Sequence, residues 1–250
     1  MAFRELVSPS LTELFVKELE DMILSGELTP GQQLPSEREM AKRMKVSLAV
    51  VNGGITRLTS KGFLRVVPRK GVFVTDYIRE GNISTLEAIL EYSENYFHAD
   101  ILDAIVDLRK VCEGRATEQA CLHRTDEQLE RLEEILSQFD HAKDFAGKSE
   151  TAFAFHHEIS IASANLVYPL IFSTFGHIYR SFYQTMFAIE GTEITRTQLQ
   201  RLLDAIRSQD MEGANRSLME FIEHWQRTFH AYHAYYDEGQ NYCGKRGRGG

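Results

Sequence analysis

Apolar residues recur first at helical spacing, then in two short β-like runs, then at helical spacing again to near the end of the chain. Leu14, Phe15, Leu19, Met22 and Ile23 mark a helix between Leu11 and Leu24 that stops at Ser25-Gly26. Met40, Ala41 and Met44 give the inner face of a short second helix. Ser36 is its N-cap, and Glu39 three residues on completes a capping box. After Val46, Ser47 caps a third helix whose Val50, Val51, Ile55 and Leu58 lie on one side, leaving the other side free. Residues 34–63 therefore read as a helix-turn-helix. Leu64, Val66 and Val67, then Val72, Phe73 and Val74, are strand formers around Pro68-Arg69-Lys70-Gly71, which predicts a hairpin with two cations at its tip.

From Asp76 to Ser84 the apolar pattern lapses, so residues 77–84 are expected to be a linker. Beyond Thr85 only helical patterns follow. Ile101, Ile105, Leu108 and Cys112 form a stripe, and Thr125 or Asp126 caps a segment carrying Leu129, Leu132, Ile135, Leu136 and Phe139. Phe153 to Ala164, Val167 to Ile189, Ile194 to Ser208 and Ala214 to Tyr236 continue the pattern. About six antiparallel helices on short loops make a bundle over residues 85–237, whose interior suits a small-molecule cavity. Residues 238–250 can bury little and are expected to be disordered.

Charge changes the picture more than composition does. The whole chain carries −8, yet residues 36–75 hold nine Lys or Arg against two acids, a net of +7, while residues 77–250 hold 17 basic and 27 acidic residues, a net of −10. The cations coincide with the helix-turn-helix and hairpin, so one part of the chain is suited to phosphates and the other is not. At 250 residues, 43% apolar, the chain can build two modest cores. Its apolar runs are too short to span a bilayer and no leader pattern opens it, so a cytoplasmic protein without membrane contact is expected. Cys112, Cys121 and Cys243 form no CxxC pair and suggest neither a disulfide framework nor a zinc site.

Gly-Glu-Leu-Thr-Pro-Gly-Gln-Gln-Leu-Pro-Ser-Glu-Arg-Glu-Met-Ala at 26–41, with Val46-Ser47 and Gly62-Phe63-Leu64, resembles the DNA-binding domain of the GntR family of bacterial transcriptional regulators. The resemblance implies a winged helix over 1–76, with Leu64 to Thr75 as the wing. Asp107-Leu108-Arg109 with Glu113, Phe155-His156-His157 leading to Ala162-Ser163-Ala164-Asn165, and Leu203-Asp204-Ala205-Ile206 leading to Asp210 and Ala214 resemble the all-helical FCD effector domain of the FadR-like branch. The expected fold class is mostly α: an N-terminal winged helix-turn-helix with a small β wing and a C-terminal all-α antiparallel bundle that dimerises. DNA contacts are expected from Arg38, Ser47, Leu48, Asn52, Arg57, Arg69, Lys70 and Gly71.

The chain also departs from that family. Many FCD-type domains bind a divalent metal through an Asp four residues before a His and two later His. Here His156 matches the first His, but the other positions fall at Ala152, Leu199 and Phe221, so neither metal nor cofactor is expected unless His157, His177 or His224 rebuild a site. Arg109, His156, Leu199 and Phe221 are the expected effector-binding residues. A buried Arg109 needs an anion, which is either an effector's carboxylate or phosphate or Glu113 one turn on, and the sequence leaves both open. On the reading helix, Leu48 and Asn52 stand where relatives commonly carry Arg. An Arg bidentate to guanine discriminates by about 1–3 kcal/mol, so the operator is read differently or weakly.

These residues point to a ligand-responsive transcriptional regulator, a repressor on a double-stranded DNA operator, that responds to a small carboxylate or acyl compound as a homodimer. The competing reading is a small-molecule sensing protein with altered or lost DNA readout. An enzyme is not expected: His156-His157-Glu158 lacks the second His of an HExxH site, and no nucleophile with a neighbouring base is visible.

Overall fold

The computed structural model describes the backbone of residues 9–96 and 99–244 and the side chains of 9–92 and 102–232. It divides into two compact units, residues 1–95 and 96–250.

In the first unit α1 (Leu11–Leu24), α2 (Glu37–Met44) and α3 (Leu48–Ser60) precede the antiparallel strands β1 (Leu64–Val67) and β2 (Gly71–Val74), then α4 (Tyr77–Glu80) and α5 (Ile83–Tyr96). Phe15, Leu19, Ile23, Met40, Val51, Ile55, Leu58, Phe63, Leu64, Val72 and Val74 share one core. Leu14 is exposed and Val16 takes its place, a rotation of the α1 stripe. The first helix has a full capping box, with Ser10 Oγ accepting from Glu13 N–H at 3.2 Å and Glu13 Oε2 accepting from Ser10 N–H at 2.8 Å. Only half of the box expected on α2 forms. Ser36 Oγ accepts from Glu39 N–H at 3.3 Å, but the Glu39 carboxylate is drawn to Arg43 on the next turn.

Lys45 turns the chain between α2 and α3 in the left-handed region, φ 55°, and Ser47 Oγ then caps α3 by accepting from Val50 N–H at 3.3 Å. Gly53-Gly54 costs helix propensity but has a packing reason. A Cβ on Gly54 would sit 2.1 Å from Phe15 Cδ1, so its absence lets α1 and α3 approach, whereas one on Gly53 would meet Thr12 at an ordinary 3.5 Å.

The segment expected as a linker, 77–84, is largely structured, and the first unit runs on to 95. The reason lies at the C-terminal end of α3, whose last carbonyls have no partner within the helix. Asn82 Nδ2 donates to Ser60 O at 3.0 Å and Thr85 Oγ1 to Lys61 O, while Ala88 enters the core. These bonds hold α5 to the first unit and move the boundary along the chain.

The second unit has seven helices among the described residues: α6 (Ala99–His123), α7 (Asp126–His141), α8 (Phe145–Ala162), α9 (Val167–Thr174), α10 (Gly176–Glu190), α11 (Glu193–Arg207) and α12 (Met211–Gly244). Thr125 forms the capping box of α7 with Gln128. The single helix expected over 167–189 is broken at Phe175, whose backbone is not helical, at φ −91° and ψ 1°. A Cβ on the next residue, Gly176, would lie 2.8 Å from Phe153 Cζ, so the break coincides with a close approach to α8. The inner face of α6 is rotated from the expected stripe: Leu102, Ile105, Val106, Arg109, Glu113 and Thr117 are buried, Leu108 and Cys112 half-buried, and the Ile101 side chain lies outside the described residues. The tail expected to be disordered from 238 is helical to Gly244, continuing the α12 ladder, and 245–250 lie outside the described residues. Among the described residues no helix is long and apolar enough to cross a membrane.

Candidate functional site

The exposed face of α3 carries Leu48, Asn52 and Thr56 at i, i+4 and i+8. Thr56, absent from the expected contacts, donates its hydroxyl to Asn52 O at 2.9 Å. Its periodicity with Leu48 was the available signal. Ser47 is exposed, but its hydroxyl is engaged as the helix cap. Arg38 is exposed on α2 and carries no ion pair among the described residues. Arg57 is exposed too and leans toward α1: the Glu13 carboxyl is held below its ordinary range first by the Ser10 N–H and hydroxyl, with the Arg57 charge contributing slightly. Arg43 and Lys61 are committed elsewhere, to Glu39 and to Glu20 at 2.8 Å.

At the wing tip Lys70 N–H donates to Val67 O at 3.0 Å, closing a turn with Pro68 and Arg69 in its central positions. Arg69 lies in the left-handed region at φ 65°, where Gly or Asn would be cheaper. Gln33 Nε2 donates to Lys70 O at 2.7 Å and clamps the tip from beneath. Gly71, at φ 120°, is required by this clamp, since a Cβ there would sit 2.8 Å from Gln33 Nε2. Arg69 and Lys70 are thus held outward on a fixed turn.

In the second unit α6, α8, α10 and α12 enclose a polar cluster. Arg109, 1% exposed, donates from Nε to Glu113 Oε1 at 2.7 Å and from Nη2 to Oε2 at 3.3 Å. Its guanidinium carbon lies 4.8 Å from the Tyr179 ring centre and 4.9 Å from that of Trp225. Of the two anions the sequence left open for Arg109, the structure holds Glu113. Burial alone would lower the Arg109 pKa, but the Glu113 carboxylate, with Tyr179 and Tyr183, more than offsets it and the net shift is upward.

His156 Nδ1 lies 3.7 Å from Glu113 Oε2, and its Nε2 is buried without a hydrogen-bond partner. Burial lowers its pKa to about 4, with Glu113 opposing and Arg109 assisting. The imidazole is therefore neutral near pH 7. Phe221 stacks on it, ring centres 6.5 Å apart and planes 11° apart, and Tyr183 stacks at 6.4 Å.

Beside His156 and Glu113 lies a cavity of about 20 Å³, bounded also by Cys112, Thr117, Ser160 and, from above, α9 and Phe175. That is room for about one water. The apolar wall expected from Leu199 and Phe221 does not line it. Leu199 is fully buried on α11, and Phe221 covers another part of the His156 surroundings. Tyr179, Trp225 and Tyr183 were not anticipated. Only Glu113, one turn beyond Arg109, left a trace in the sequence.

The residues present do not fit a resident divalent ion. Among the described residues no group of three His, Cys, Asp or Glu is placed to hold one, and Ala152, one turn before His156, offers no ligand. The other histidines considered are engaged: His157 Nε2 lies 3.0 Å from Ser173 Oγ, His224 Nε2 3.0 Å from the Glu190 carboxylate, and His177 is not free either. Glu113, the carboxylate nearest His156, is held by Arg109.

Comparison with known proteins agrees with both halves. The family described as "Bacterial regulatory proteins, gntR family" matches residues 11–74, and the FCD domain matches 103–224. The HTH-type transcriptional regulator Mce2R of Mycobacterium tuberculosis is 24% identical over 89% of this chain and 93% of its own. A fatty acid metabolism regulator protein of Shewanella oneidensis is 26% identical over 63% of this chain and 64% of its own. Among solved structures, the Listeria monocytogenes protein Lar shares the fold with a TM-score of 0.60 at 17% identity, covering 88% of this chain and 97% of that one. With a gntR-type DNA-binding domain followed by an FCD domain, this chain belongs to the GntR family and is a transcriptional regulator, not an enzyme.

Proposed function

We propose that the protein is a homodimeric repressor that docks a pseudo-palindromic operator through α3 and the wing and is released by a small organic acid or acyl compound taken up in the bundle. The DNA half of this reading rests on the outward Arg38, Arg69 and Lys70 around the Leu48–Asn52–Thr56 face. Two copies related by a two-fold axis present two such faces to two half-sites, and occupancy of the operator suffices to repress. The effector half rests on one observation: a fully buried guanidinium whose counter-ion is the side chain of Glu113, next to an unpartnered imidazole nitrogen. An incoming carboxylate replaces Glu113 on Arg109 and hydrogen-bonds His156 Nε2. The cavity is too small for this as it stands, so α9, whose Tyr168, Ile171 and Phe172 line it, has to move. An acyl effector accords with the name of the Shewanella relative.

Binding of the purified protein to its own promoter DNA should weaken steeply with salt, with a log–log slope of about −0.9 for each phosphate contact. Short-chain acids and acyl thioesters should raise its melting temperature and release the DNA. Affinity for promoter DNA no better than for random DNA at low salt would favour the sensing-protein reading, which the uncharged Leu48 and Asn52 on the reading face support.

A further inference from the structure

We infer a second ligand site, on the outer side of the bundle in the cleft between α11 and α12, suited to a small amino-acid zwitterion. It is independent of the Arg109–Glu113–His156 reading and shares with the expected effector residues only Phe221.

The two helices are joined by a three-residue turn and run antiparallel, so Arg201 stands opposite Ser217, Gln198 opposite Phe221, and Ile194 opposite His224. Between them lies a cleft of about 360 Å³, of a size for a small metabolite. Gln198 lines it and is 5% exposed, yet its Nε2 and Oε1 both lack a hydrogen-bond partner, as does the buried Ser217 Oγ. A buried amide and hydroxyl left unsatisfied are costly, and native structures keep few of them without a functional reason. Those atoms are covered in the free chain, so a ligand that supplies a donor and an acceptor relieves that cost once the Gln198 and Ser217 side chains turn into the cleft.

The charges of the cleft select among polar ligands. Arg201 lines it without an ion pair among the described residues and offers a planar donor pair to a carboxylate. Glu193 and Glu220 line it and are likewise unpaired among the described residues, so two carboxylates accompany one guanidinium. His224 is satisfied by Glu190 at 3.0 Å and closes one end. A phosphate or a di-acid would gain one cation and meet two like charges. A zwitterion places its carboxylate at Arg201 and its ammonium at the acidic rim, leaving its side chain to the Gln198 amide and the Phe221 ring.

The twenty proteinogenic amino acids, each at millimolar concentration, are the probe, read by the melting temperature of the full chain and then by calorimetry. At least one should give a saturable upward shift, and its N-acetyl and carboxamide derivatives, each lacking one charge, should bind at least tenfold more weakly. Gln198→Leu and the surface variant Arg201→Ala should each weaken binding by tenfold or more. Gln198→Leu should not lower the melting temperature of the free protein, because it removes an unsatisfied group. The double variant Arg109→Met, Glu113→Leu, which alters the other site without touching a residue of the cleft, should leave amino-acid binding unchanged, so the two readings fail separately. The proposal is overturned if no amino acid shifts the wild type, if the derivatives bind equally well, or if Arg201→Ala, with an intact fold, binds as the wild type does.

Discussion

The two units handle charge in opposite ways. The first keeps an apolar core and puts its cations on the outside, where Arg38, Arg69 and Lys70 are exposed. The second buries a guanidinium, a carboxylate and an imidazole among its helices, at 1%, 6% and 4% exposure. A surface cation contributes little to stability and remains available to a partner. A buried one is tied to its counter-ion, and removing either leaves an uncompensated charge in a medium of low dielectric. The reader is therefore open to change at low cost, while the sensor core is stable only so long as its charges stay matched. A ligand that competes for one of those charges acts on the stability of the whole bundle.

The largest expected effect breaks the matched pair. Arg109→Ala leaves Glu113 buried and alone, and should cost about 3–5 kcal/mol in urea unfolding of the full chain. The double variant Arg109→Met, Glu113→Leu should recover most of that loss. Arg38→Ala in the reader should change stability by less than about 0.5 kcal/mol while weakening DNA binding. Equal costs for Arg109→Ala and Arg38→Ala would show that the contrast between the units is not real.

The next effect uses pH. His156 is held neutral in the fold, with a pKa lowered to about 4 by burial, while the unfolded chain titrates near 6.5. Below pH 6.5 the unfolded state takes up a proton that the folded state does not, so stability is complete above 6.5 and is lost as pH falls toward 4. The total is on the order of 3 kcal/mol. His156→Phe fits the aromatic surroundings of Phe172, Tyr183 and Phe221 and should flatten this limb. Chemical denaturation at pH 7, 6, 5 and 4.5 checks it, and a limb unchanged in the variant would assign the acid loss to carboxylates elsewhere.

The two halves also differed in how far they could be read from sequence. In the reader each element is set by local signals: Ser36 and Ser47 as caps, Pro68 and Gly71 around the wing turn, and apolar residues at helical spacing. The failures there were tertiary. The Asn82 and Thr85 bonds to the end of α3 turned a polar, patternless stretch into part of the domain. In the bundle the helices were legible but their rotation was not. The inner face of α6 is built around Arg109 and Glu113, a pair the sequence does offer, but because polar residues hold that face the apolar stripe drawn beside them is out of phase. Tyr179, Tyr183 and Trp225 reach the cluster from α10 and α12, remote in sequence, so nothing local marks them.

A smaller effect tests how tightly the reader is packed. Gly54→Ala drives a methyl toward Phe15 and should destabilise the first unit by about 1–3 kcal/mol, because α1 must retreat from α3. Gly53→Ala meets only an ordinary contact with Thr12 and should stabilise α3 by roughly 0.5–1 kcal/mol through helix propensity. Thermal melting and DNA titration of the two variants should move in opposite directions. If both stabilise, the close approach of the helices is soft.

The smallest effect concerns the wing tip, where stability and function should be opposed at one residue. Arg69 is an L-residue with a long side chain at φ 65°, a conformation that Asn or Gly adopts more cheaply, and the fold keeps it there by the Val67–Lys70 turn bond and the Gln33 clamp. Local strain that the fold must sustain is worth keeping where the side chain has a task, and an outward guanidinium on a fixed turn is placed to meet a phosphate or a groove edge. Arg69→Asn should therefore raise the stability of the reader by up to about 1 kcal/mol and lower DNA affinity, while reducing the salt slope by about 0.9, the contribution of one phosphate contact. Pro68→Ala, which loosens the turn but keeps the cation, should weaken binding with the slope unchanged. A more stable Arg69→Asn protein with wild-type affinity and slope would make the strained arginine a tolerated turn residue, and DNA contact would then fall to the reader's other exposed cations, Arg38 and Lys70 among them.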